Sequence, residues 1–97
     1  MKHKIDWQFT AIDDLDGIET YHEEYSQETA TRIIDEITSR VKTLADFPFL
    51  GPKINKNSSK RRLTVGNYSI FYEVCEERKL VQILYVWHQA RDASSLA

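Results

Sequence analysis

Between positions 11 and 44 the apolar residues recur three and four apart, and the pattern restarts once, at Ser26. Ala11, Ile12, Leu15, Ile18 and Tyr25 form the first stripe, with His22 continuing it. Ala30, Ile33, Ile34, Ile37, Val41 and Leu44 form the second. Such spacing lays one buried face along a helix, and it predicts helices over 11–25 and 27–46. Almost nothing joins them, so they should pack as an antiparallel hairpin. Ser26 suits the cap of the second helix, and Thr10 that of the first, each offering a hydroxyl to a free backbone N–H. Asp13 and Asp14 would then lie in a first turn, where the helix dipole favours negative charge.

The period is different on either side of this hairpin. Ile5, Trp7 and Phe9 alternate with polar residues, a short half-buried strand over 4–10. Phe47-Pro48 ends the second helix, because a residue before proline avoids the α region. Gly51-Pro52 is a second break, followed by a polar loop over 53–60. Leu63 and Val65 share one face of a strand over 61–65. Gly66-Asn67 is a two-residue hairpin signal. Tyr68, Ile70, Tyr72 and Val74 share one face of the next strand, with Phe71 on the other. The segment 80–88 is apolar on both faces, as a strand interior to a sheet is. The expected fold is α+β, in the order β-α-α-β-β-β: a helical hairpin packed on a small antiparallel sheet that the first strand joins.

The chain has 97 residues, which predicts a single domain over 1–97. That length buries about two-thirds of the unfolded surface and excludes any two-domain or barrel enzyme. No apolar run approaches the roughly 20 residues that span a bilayer, and the first residues do not form a secretory signal. Cys75 is the single cysteine, so no intrachain disulfide and no cysteine-rich zinc site is expected. A cytoplasmic location fits this.

Net charge is −2, which argues against a general nucleic-acid binder, but the charge is divided along the chain. Between positions 13 and 36 there are nine acids and one base, Arg32. Between positions 47 and 72 there are five bases (Lys53, Lys56, Lys60, Arg61, Arg62) and no acid. A local basic surface attracts a polyanion or an acidic peptide even on a slightly negative protein.

Metal chemistry finds little support. His3, His22 and His88 are far apart in sequence, and Asp13-Asp14-Leu15-Asp16 lacks the glycine and distal glutamate of a calcium loop. Cys75 stands beside glutamates, the wrong electrostatics for a nucleophile. No cofactor is expected. Two clusters remain: Lys60-Arg61-Arg62 at the start of one strand, and Trp87-His88-Gln89-Ala90-Arg91-Asp92 at the end of the last. An antiparallel sheet would bring basic groups near His88, Arg91 and Tyr72. Arginine stabilises charge on a five-coordinate phosphorus, and histidine or tyrosine moves protons. That makes Arg62, His88, Tyr72 and Arg91 a candidate set for metal-free phosphodiester chemistry. The same residues also have a packing reading, with His88 against Val86 and Leu84 and an Arg91–Asp92 pair closing the sheet end.

Four segments occur in order along almost the whole chain: Ala11-Ile12-Asp13-Asp14-Leu15-Asp16-Gly17-Ile18, Leu44-Ala45-Asp46-Phe47-Pro48-Phe49-Leu50-Gly51, Arg62 to Tyr72, and Val86 to Asp92. In these segments and their spacing the chain resembles the RelE/ParE superfamily, toxins of type II toxin–antitoxin modules. The resemblance implies a helical hairpin on a small antiparallel sheet and a toxin that forms a hetero-oligomer with a cognate antitoxin. It also implies one of two targets. ParE-like members inhibit DNA gyrase; RelE-like members are metal-independent mRNA endonucleases acting on translating ribosomes. The Tyr68–Tyr72 strand and the His88-x-x-Arg91-Asp92 ending look more like ParE, and the net charge of −2 suits a ribosome-bound protein poorly. Lys53, Lys60, Arg61 and Arg62 are then the candidates for binding the antitoxin or the target, and Arg62, His88, Tyr72 and Arg91 would be catalytic only in a ribonuclease.

Overall fold

A computed structural model of the chain describes residues 2–89. The elements are β1 (Lys4–Trp7), α1 (Phe9–Glu23), α2 (Gln27–Lys42), a 3-10 turn (Thr43–Ala45), β2 (Lys60–Val65), β3 (Tyr68–Cys75) and β4 (Leu80–His88). The helices form a hairpin on one face of a four-stranded sheet whose strand order is β1-β4-β3-β2. The expected α+β order is therefore present, and the first strand does join the sheet. It joins parallel to β4, however, with Lys4 opposite Leu80 and Trp7 opposite Ile83, so the sheet is mixed. The hairpin between β1 and the rest of the sheet gives that strand a crossover connection, which parallel pairing requires.

The core lies between the hairpin and the sheet. Ala11, Ile37, Val41 and Leu44 meet Leu63, Val65, Ile70, Tyr72, Val81, Ile83 and Val86. Of the expected α2 stripe, Ala30, Ile37 and Val41 are buried and Ile33 is partly so, Ile34 stays outside the core cluster, and Leu44 reaches the core from the 3-10 turn rather than from the helix. Ser26 caps α2, its hydroxyl accepting from the Thr29 amide at 3.1 Å.

The start of α1 differs from expectation. The Gln8 amide donates to the Ile83 carbonyl at 2.9 Å, so the β1 ladder runs directly into the helix. The helix therefore begins at Phe9; Thr10 lies inside it and caps nothing, and Asp13 and Asp14 fall beyond the first turn. The end differs too. The helix stops at Glu23, so Tyr25 sits past it, 75% exposed, where helical spacing no longer applies. Ile12 is also exposed, one position off the buried line through Ala11, Leu15 and Ile18.

β2 and β3 form a hairpin through Gly66-Asn67, with Gly66 at φ +58°. This is the positive φ that a tight hairpin turn demands and that glycine adopts without strain. β3 and β4 pair antiparallel with a register shift: Phe71 lies opposite Tyr85, but Tyr72 lies opposite Ile83. Leu84 is thus the extra residue of a β-bulge.

Candidate functional site

The bulge decides what β4 presents. Side chains alternate along a strand, and one extra residue inverts the alternation beyond it. Val81 and Ile83 face the helices before Leu84; Val86 and His88 face them after it. Tyr85 and Trp87 are therefore turned to the other, helix-free face, where they meet Phe71. The Phe71 and Tyr85 ring centroids are 4.8 Å apart, as are those of Tyr85 and Trp87.

On the helix side, His88 lies edge-on to Tyr68 at 5.1 Å, and the Tyr68 hydroxyl is hydrogen-bonded to His22 Nε2 at 2.8 Å. These three rings stand where α1 meets the open end of the sheet. A cleft of about 490 Å³ reaches Tyr68 and His88, walled by Asp13, Asp14, Gly17, Tyr21 and Val86. Asp14 is held in that wall by a 2.9 Å bond from the Val86 amide to its carboxylate. β1 ends opposite Ile83, so beyond that point β4 has no strand neighbour on that side, and the α1 carboxylate replaces the missing partner. Nothing in the spacing of Asp14 announced this role, because it depends on where β1 stops.

A second cluster surrounds Gly51. Its amide donates to the buried Tyr72 hydroxyl at 2.8 Å, and its carbonyl accepts from Arg61 Nη1 at 2.8 Å. The Arg62 amide donates to the Pro52 carbonyl at 3.0 Å, and Lys53 bridges to Arg61 as an added piece of edge strand. The Arg61 guanidinium also lies 4.9 Å from the Phe49 ring centroid. Burial holds the Tyr72 hydroxyl above its ordinary pKa, with the Gly51 bond and the Arg61 charge opposing that rise.

The structure does not gather the phosphodiester set. Arg62 pairs with Phe71, and its side chain shares the helix-free face with Tyr85 and Trp87. His88 pairs with Tyr68 on the opposite face. Tyr72 is fully buried, its hydroxyl committed to Gly51. Arg91 lies outside the described residues. The four binding candidates divide as well. Lys60 and Arg62 belong to the helix-free face, where Lys60 Nζ stands 5.6 Å from the Tyr85 ring centroid. Arg61 is turned to the other side, into the Gly51 loop, which also carries the exposed Lys53. The sequence assigned no site role to Gly51, Phe49 or His22. Their signal was positional: a glycine closing the apolar run 47–50, and a histidine on a helix stripe. Among the described residues no cluster of three or more His, Cys, Asp or Glu would hold a metal, and no helix is long and apolar enough to cross a membrane.

A helical hairpin laid on one face of a mixed four-stranded sheet is the fold of RelE- and ParE-like toxins. A family model described as the ParE toxin of the type II toxin–antitoxin system parDE matches residues 5–93, and the chain belongs to that family. Among solved structures, the chromosomal ParDE system from P. aeruginosa is similar at a TM-score of 0.77 and 23% identity, covering 90% of this chain and 96% of that one. The RelBE2 toxin–antitoxin complex from Mycobacterium tuberculosis is similar at 0.73 and 20%, covering 91% and 99%. A mutant E. coli RelE toxin in the free state is similar at 0.70 and 14%, covering 98% and 93%. Comparison with curated protein sequences finds no match.

Proposed function

We propose that this toxin acts by binding, as an inhibitor of DNA gyrase in the cytoplasm, and that a cognate antitoxin neutralises it by forming a hetero-oligomer with it. The observation that carries the mode of action is the placement of Arg62 and His88 on opposite faces of the sheet. Metal-free RNA cleavage needs a charge stabiliser and a proton carrier converging on one phosphate. With Tyr72 buried and bonded to Gly51, the three described members of such a set do not converge. Membership of the ParE family supports the same reading. The antitoxin partner is supported by relatives solved as toxin–antitoxin complexes.

The test uses purified toxin with gyrase and relaxed plasmid, and separately with translating ribosomes and mRNA. Supercoiling should be blocked and the message left intact. His88→Ala should then act only through stability. Cleaved message with unaffected supercoiling would overturn the reading.

One observation favours the ribonuclease reading instead. Lys60 and Arg62 share the helix-free face with the Phe71, Tyr85 and Trp87 rings. Cations beside clustered aromatic rings suit a phosphate backbone and its bases. In that case Arg62→Ala should lower cleavage by about 10² to 10⁴, while His88→Ala, on the opposite face, should act only through stability.

A further inference from the structure

The loop between α2 and β2 exposes an apolar surface. Phe47, Phe49, Leu50 and Ile54 are between 42% and 64% exposed, within eight consecutive positions of the chain. Exposed apolar groups gathered in this way mark interaction sites more often than scattered ones do. Here they are also held in place. The Leu50 amide donates to the Phe47 carbonyl at 3.1 Å, and Gly51 is fixed at both its amide and its carbonyl by Tyr72 and Arg61. A methyl group on Gly51 would stand 2.6 Å from the Arg62 carbonyl oxygen, so the loop backbone touches the sheet directly. A surface that is ordered before binding loses less entropy on binding.

Its charge selects a partner. Lys53 stands within the loop and Arg61 beneath Phe49, in a stretch from position 47 to position 72 that carries five bases and no acid. The other exposed aromatic surface, around Tyr21 and Tyr25 at the end of α1, adjoins Glu23 and Glu24. An acidic segment is attracted to the first and repelled by the second.

We infer that the 47–54 loop is a docking surface for an acidic, apolar-anchored segment of the antitoxin. Phe49, Leu50 and Ile54 take its apolar side chains, and Lys53 meets its carboxylates. The inference rests on the functional reading above and adds to it the place of contact and the chemistry of the segment.

The test compares three forms of the chain, each expressed alone and together with the product of the adjoining reading frame, the candidate antitoxin. The double variant Phe49→Ser/Leu50→Ser should remain toxic alone, escape neutralisation, and bind the antitoxin roughly 30-fold or more weakly, the loss expected when hot-spot anchors are removed. Lys53→Glu should weaken binding by a factor that shrinks as salt is raised. Tyr25→Ser should be neutralised like the unaltered chain. Ile54→Ser probes the same surface from the far side of Gly51, should the double variant unfold, and should also escape neutralisation. Normal neutralisation of the double or Ile54 variant would overturn the inference. So would loss of toxicity with the antitoxin complex intact, which would assign the loop to the target. A folded variant losing both properties would overturn an assignment to the antitoxin alone. If the unaltered chain neither slows growth nor binds that product, the functional reading falls, and the inference with it.

Discussion

The Gly51 amide points at the Tyr72 hydroxyl across 2.8 Å, and the space around that glycine is closed to any side chain. An added Cβ would meet the backbone of Arg62 at 2.6 Å and the Tyr72 oxygen at 2.9 Å. Backbone cannot rotate away as a side chain can. Gly51→Ala should therefore destabilise the fold by about 1–3 kcal/mol or more, read as a fall in the urea midpoint at constant slope. An unchanged midpoint would mean that the loop is not seated on the sheet.

Tyr72 also predicts a response to alkali. Its burial raises the folded pKa above the ordinary tyrosine value of 10.0. The folded state thus holds the phenolic proton more tightly than the unfolded state does. The resulting stability is fully present below about pH 10 and is lost as pH rises towards the folded pKa. Tyr72→Phe should lose about 1–3 kcal/mol at neutral pH, from the unpaired Gly51 amide, yet show a shallower decline above pH 10. Denaturation midpoints of both proteins across pH 8 to 11 supply the comparison, and parallel curves would refute it.

Asp14 substitutes for a strand at the end of β1. Asp14→Ala should leave the Val86 amide without its acceptor, costing about 1–3 kcal/mol. Asp14→Asn keeps an acceptor oxygen and should cost less. Hydrogen exchange at the Val86 amide reports the bond directly: it should accelerate in Asp14→Ala, relative to the unaltered chain, by more than global unfolding explains.

Ile34 and Ile37 look equivalent in the spacing of α2, but only Ile37 is fully buried in the core. Ile37→Ala should cost roughly 2–5 kcal/mol, and Ile34→Ala clearly less. Equal shifts in the denaturation midpoint would place the helix face wrongly.

Much of this architecture was legible in the residues. Ser26 caps α2, Ala30, Ile37 and Val41 of the α2 stripe are buried, and Gly66-Asn67 makes its turn, because each depends on a few neighbours in sequence. The features that escaped depend on distant chain. β1 runs parallel to β4 because the helical hairpin carries the chain across before β2 begins. Its four residues alone do not record that direction. Leu84 is a bulge in a strand that is apolar on both faces, so no break in alternation marks it. That one residue is what separates His88 from Arg62, and with it the candidate catalytic set. Lys60, Arg61 and Arg62 read as one basic patch, yet alternation along β2 sends Arg61 to one face and its two neighbours to the other.

The strand order has a consequence in time. β1 is made first but pairs only with β4, which is made last among the described elements. A nascent chain can close its helical hairpin and its β2–β3 turn early, since both are local contacts. The N-terminal strand must wait, and the Asp14–Val86 bond waits with it. Such long-range closure is the slow part of folding. A truncated or stalled product ending before β4 would therefore have neither a complete sheet nor the surfaces that β4 builds. Among the described elements the sheet is completed only when β4 is made, and any partner that recognises the finished sheet must meet it after that point.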